Sequence, residues 1–202
     1  MAVSNYTWDA EFLALFERCV AQYRSGNRDF SRYYPAADRA FLAAIGCKPR
    51  EFFDFVEDYC EYDGDPSAAT ALLIAAARRD FLLTMQDGKT STAVIEPADL
   101  PPKDDTRLGG IRWLARIVVK ARAKLRGELH PEIMYGCGGD RNFLAEQKVH
   151  PADFLRAVWA AGDDDAKVLA WLQGKRLAAR IIPSVAKRTP PAVPTAPAVD
   201  CR

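Results

Sequence analysis

The stretch YGCGGD, Tyr135 to Asp140, holds one cysteine among three glycines immediately before a segment of helical periodicity. Thiols at helix starts recur as nucleophiles and redox centres. Cys137 is therefore the candidate for thiol chemistry, with His130 as the nearest candidate base. The competing reading, which carries more weight, is a tight glycine turn with the cysteine packed as a small apolar residue. Glycine-rich backbone leading into a helix also presents N–H groups to an anion. The stretch lacks the Lys-Ser/Thr ending of a P-loop and the G-x-G-x-x-G spacing, and no strand pattern precedes it.

A second source of chemistry is basic. From Arg107 to Arg126 there are seven cations and no acid, and Arg112, Arg116, Lys120 and Lys124 recur every four residues. On a helix that spacing makes one continuous stripe. The segment Glu51 to Asp65 carries seven acids and no base. The basic helix is thus read as a solvated face or as the complement of an acidic protein surface, within this chain or across a homodimer. A phosphate track is the lesser reading, and nucleic acid is disfavoured as a partner. The candidate ligand-binding set is Tyr135, Gly136, Cys137, Gly138, Gly139 and Asp140 of the loop with Arg112, Arg116 and Lys120 of the helix.

Other chemistries find less support. His130 and His150 have neither helical nor knuckle spacing to any cysteine, so no metal and no cofactor are expected. A helix-turn-helix reading of the segment around Pro49 fails because its recognition helix would be strongly acidic. In the tail, RTPPAVP satisfies R-x-x-P-x-x-P, although such patterns arise easily in proline-rich spacers.

The elements that must position these residues repeat. Asp38 to Val56 and Asp140 to Val158 share 8 identities over 19 gapless positions. Phe12, Phe16, Cys19, Val20 and Tyr23 mark one face of a first helix ending near Gly26. Asp38 is placed to cap a short second helix that Gly46 ends, Pro49 opens a third reaching about Glu61, and Asp65 and Pro66 open an alanine-rich fourth that fades near Gln86. After an extended connector the pattern restarts: a long helix from Arg107 to Gly127, an Asp140-capped helix, a Pro151 helix, and a last one opened by DDDAKVLAWL. The expected fold is all-α. Two related units of about four helices each, residues 1–86 and 107–182, flank a connector over 87–106 and pack into one body, and a disordered proline-rich tail follows over 183–202.

Composition agrees with a globular protein. At 202 residues, 49% hydrophobic and 27% charged, the chain can bury a sizeable core, and a net charge of +1 supplies no global pull toward nucleic acid or membrane. The N-terminus has no leader pattern and no apolar run is long enough to span a bilayer, so a soluble, cytoplasmic protein without membrane association is expected. Five widely spaced cysteines without a C-x-x-C pair are read as reduced thiols.

RLGG before the basic helix, KARAKLRG at its end, YGCGGDRNFL, the proline-opened helix and a final VLAWL resemble a bacterial family catalogued only as a domain of unknown function (number 5069). The resemblance runs from about Pro101 to Gln173 and extends more loosely to the first half through the repeat. It implies a small, soluble, mostly helical protein and brings no activity or cofactor. In that family's pattern the loop's tyrosine, cysteine, aspartate and phenylalanine recur, and here they match Tyr135, Cys137, Asp140 and Phe143. The first half keeps Tyr33, Asp38 and Phe41 but has Pro35 at the cysteine's place. The functional expectation is a non-catalytic binding module whose loop and basic helix take a small anionic ligand or an acidic protein face. A thiol-dependent enzyme or redox protein using Cys137 is the alternative, and nucleic-acid binding through the basic helix a further one.

Overall fold

A computed structural model describes residues 4–181, with side chains as far as Lys175; the tail expected to be disordered, over 183–202, lies outside the described residues. The apolar spacing of the first segment folds as α1 (Trp8–Arg24), which buries Phe12, Leu15, Phe16, Cys19, Val20 and Tyr23. Next come α2 (Ala36–Ala44), α3 (Pro49–Glu61) and α4 (Ala68–Met85), then α5 (Leu114–Arg126), α6 (Gly138–Glu146), α7 (Pro151–Ala161) and α8 (Asp165–Ile181). Pro49 and Pro151 occupy the first turns of α3 and α7, where a missing N–H breaks no helical bond. Among the described residues extended pairing is confined to an isolated parallel bridge between Ile95 and Leu129. The all-α expectation holds.

Several boundaries move, each for a local reason. Asp38 and Asp140 do not cap α2 and α6: Pro35 and Cys137 stand at the caps, and the aspartates sit in the first turn, close to the positive helix end. Asp65 and Pro66 do not open α4, which begins at Ala68 with Ser67 as its cap, the hydroxyl accepting the Thr70 N–H at 3.1 Å. The basic helix begins at Leu114, not Arg107, because Gly109, Gly110 and Trp113 all take positive φ and turn the chain before it can wind.

The offset of 102 residues appears in the backbone. α2 and α6 start and end at matching positions, as do the starts of α3 and α7 and the ends of α1 and α5. Both short helices close with the same pair of bonds: Gly46 N–H to Ala43 O with Cys47 N–H to Leu42 O, and Lys148 N–H to Ala145 O with Val149 N–H to Leu144 O. This is the Schellman arrangement, which needs a left-handed residue after the cap. Gly46 supplies it at φ 69°, and Lys148 is forced into it at φ 56°.

One buried apolar cluster runs from Phe12 to Leu172 through both halves. α1 packs on α3 and α5 on α7, while α4 touches α1 and also α5 and α7, so the alanine-rich helix carries the core across the middle of the chain. A buried cation fastens this junction. Arg78 of α4 donates Nε to Gly46 O at 3.2 Å and Nη1 to Leu125 O and to Gln86 Oε1, both at 2.7 Å. Leu125 O lies at the C-terminal end of α5, where a positive charge is favoured. Burial still lowers the guanidinium to about 10. The connector is not a free linker either: Ile95 N–H bonds Glu128 O at 2.8 Å, and Leu100 is buried.

Candidate functional site

The loop and the basic helix meet around one carboxylate. Asp140 is completely buried, and its two oxygens are fully used. Oδ1 accepts Trp113 Nε1–H at 2.9 Å; Oδ2 accepts the Gly136 N–H at 2.9 Å and pairs with the Lys120 ammonium. Lys120 also donates to Cys137 Sγ at 3.4 Å. Two charges removed from water cost several kcal/mol each, by order of magnitude, unless every lone pair and proton is matched. Trp113, Gly136 and Cys137, with the pairing itself, supply most of that match.

Trp113 is held at a cost. Its φ of 71° and ψ of −25° lie in the left-handed region, which a bulky side chain avoids, and such residues store about 1–3 kcal/mol of strain. Its indole edge presses on Gly139, where a Cβ would come within 2.5 Å of Trp113 Cζ2, so only glycine fits beneath the ring. The ring is therefore fixed on three counts: backbone, Nε1 hydrogen bond and glycine contact.

Beside this cluster lies a cavity of about 370 Å³, a size suited to a small-molecule ligand. Its cations are Lys103, Arg116 and Lys120, its one acid is Glu132, and Trp113, Leu100, Ile133 and Met134 supply apolar wall. Cys137 and Gly139, from the start of α6, complete the loop side. Arg116 donates to Pro101 O at 2.8 Å, and among the described residues neither it nor Lys103 belongs to an ion pair. With Asp140 behind Lys120, the site retains one positive charge in excess.

The sequence-derived set is thus divided. Arg116, Lys120, Cys137 and Gly139 line the cavity. Tyr135, Gly136 and Asp140 lie buried behind it as its support. The Tyr135 hydroxyl donates to Pro151 O at 2.8 Å, and burial pushes this phenol well above its usual range. Gly138 is half-buried at the start of α6 outside the lining, and Arg112 is exposed, ahead of α5. The continuous basic stripe does not exist as a solvent face. Lys120 and Lys124 are buried, because Lys124 turns inward to pair with Glu51 of α3. One basic residue of α5 therefore does meet the acidic segment, within this chain.

His130 is not gathered to the thiol. Its Nδ1 accepts the Glu132 N–H at 3.1 Å, and it borders a separate cavity of about 30 Å³ with Lys48 and Glu51. His150 is the N-cap of α7, Nδ1 accepting the Ala152 N–H. Among the described residues no three His, Cys, Asp or Glu side chains gather as a metal site, and Cys19, Cys47, Cys60 and Cys137 are free thiols. A larger open hollow of about 580 Å³ between α7 and α8, bordered by Arg156 and Trp171, contains none of the predicted residues. No helix among the described residues is long and apolar enough to cross a membrane.

Sequence reading missed Lys103 and Trp113. Lys103 sits in a connector whose periodicity says nothing about packing. Trp113 was absorbed into an expected helix, although the preceding GG pair was the signal for a turn.

Residues 99–182 match the model of a family described as Domain of unknown function (DUF5069). The match opens inside the connector, just ahead of Leu100 and Pro101, and contains the cations, the tryptophan and the cysteine of the cavity. No curated protein and no solved structure matches the chain.

Proposed function

We propose that this protein is a non-catalytic binding module that takes a small anion in the cavity between the connector, α5 and the start of α6. The observation that carries the reading is the gathering of Lys103, Arg116 and Lys120 around one recess against a single lining acid. Cations converging on a concavity suit a small ligand, whereas an acidic protein face would want them spread over an exposed surface. The first-turn N–H groups of α6 have no acceptor within the helix and add to the anion's welcome. Free thiols at the described cysteines suit a reducing compartment, so the cytoplasm is its place in this reading. The matched helix ends and turns at an offset of 102 support descent of the two halves from one unit.

The test is a titration of inorganic phosphate followed by backbone amide shifts and melting temperature, with native mass spectrometry of the freshly purified protein. Phosphate should shift the amides of Gly138 and Gly139 and raise the melting temperature. Lys103→Ala with Arg116→Ala should remove both effects. Unshifted amides, or an equal response in the double variant, would sink the reading.

A second reading, thiol chemistry at Cys137, is favoured by the Lys120 ammonium 3.4 Å from Sγ. Alkylation with iodoacetamide tests it. Cys137 should be modified faster than the equally half-buried Cys60, and a slower rate would remove the reading.

A further inference from the structure

The charge of the cavity accounts for an anion but not for Trp113. A surplus cation is cheaply provided by any surface lysine, whereas this indole is held in a left-handed backbone conformation, hydrogen-bonded to a fully buried carboxylate and seated on the one glycine that lets it approach. Strain of this kind persists where the surroundings over-determine it, and it concentrates at ligand-holding sites. The Lys103 ammonium stands 5.8 Å above the ring centroid, and both residues line the cavity. Lys103 is exposed and can move aside, so the ring face is accessible to a flat group that then keeps the ammonium as a neighbour.

Resting on the small-anion reading, we propose that the ligand is a planar aromatic monoanion, of the aromatic carboxylate class, whose ring lies on Trp113 and whose charge is held by Arg116 and Lys120. Three details agree. The lining's net excess of one positive charge matches one negative charge. The apolar wall of Leu100, Ile133 and Met134 suits a ring and wastes nothing on a fully hydrated ion such as phosphate. A rigid platform also spares the entropy of ordering a side chain on binding.

The experiment compares 4-nitrobenzoate, 4-nitrobenzyl alcohol and inorganic phosphate on the full chain by calorimetry, alongside quenching of tryptophan emission. The nitrobenzoate should bind at least about tenfold tighter than either the neutral alcohol or phosphate, tenfold lying within the range that stacking on an aromatic side chain contributes. It should quench emission in the wild type, and that quenching should be largely lost in Trp113→Phe while binding is kept. Trp113→Leu should weaken nitrobenzoate at least about tenfold, and by a larger factor than it weakens phosphate; if that variant does not fold, the ligand ladder and the Phe variant decide alone. Nitrobenzoate no tighter than phosphate, or quenching undiminished in Trp113→Phe, would overturn this inference and leave the small-anion reading standing. No binding by any of the three would end both.

Discussion

Asp38 and Asp140 occupy equivalent places in stretches that align 102 residues apart, and each pairs with a cation at the same offset: Arg18 with Asp38 at 2.5 Å, Lys120 with Asp140. The arginine that follows each aspartate also donates to a corresponding carbonyl, Arg39 to Tyr34 O and Arg141 to Gly136 O, both at 2.7 Å. The frame is the same and the surroundings are not. The Arg18 side chain is 48% exposed, whereas Lys120 and Asp140 are 5% and 0%. Trp113 makes part of the difference, since the position equivalent to it in the first half is Glu11, an exposed residue of α1. A surface pair costs little to keep or lose, and a sealed one must be matched bond by bond. The half that seals its pair is the half that has the cavity.

The sharpest way to break this comparison is to neutralise each aspartate. Asp140→Asn strands the Lys120 charge in the interior and should cost about 3–5 kcal/mol in urea unfolding, while Asp38→Asn should cost about 0–1 kcal/mol. Equal losses would mean that burial does not separate the two sites. The Schellman turns give the next effect. Gly46→Ala puts a side chain at φ 69° with its Cβ 3.1 Å from Arg78 and Leu82, so about 1–3 kcal/mol should be lost. Lys148→Gly relieves the same backbone in the second half and should gain about 1 kcal/mol. A loss on Lys148→Gly would show that the lysine side chain, not the turn, matters there.

The last contrast is a pH dependence that Asp54 gives the first half and its second-half counterpart does not share. Asp54 is buried at a position whose second-half equivalent is the exposed-headed Arg156. Burial, opposed by the Arg50 guanidinium at 2.8 Å, raises its carboxyl from 3.8 to about 7. Between those values the folded chain binds more protons than the unfolded one, so this group's contribution to stability is full below about pH 4, declines as pH rises, and is gone above about 7. Asp54→Asn should therefore gain melting temperature relative to wild type between pH 4 and pH 8, and Arg156→Gln should show no such trend. A constant offset across that range would show that Asp54 does not titrate within it.

The helices were legible because their signals are local. Phe12, Phe16, Val20 and Tyr23 share a helix face whatever surrounds them, Pro49 and Pro151 fit a first turn and little else, and Gly127 ends α5 in the left-handed conformation that glycine takes freely. The thiol loop was legible as a turn for the same reason. The basic stripe was misread because periodicity identifies a face without saying what covers it. Lys120 and Lys124 belong to that face, yet Asp140 and Glu51 reach them from other helices and draw them inside.

What the chain's own order determined is therefore the inventory: eight helix-forming segments, their main turns, and an aspartate at equivalent places in two of them. These depend on hydrogen bonds and side-chain spacings a few residues apart, which the linear order sets directly. Which aspartate is sealed, and that Trp113 and Lys103 stand over the same recess, was decided only when the connector folded back on α5. Burial and charge pairing depend on contacts between distant segments, and no local spacing encodes them.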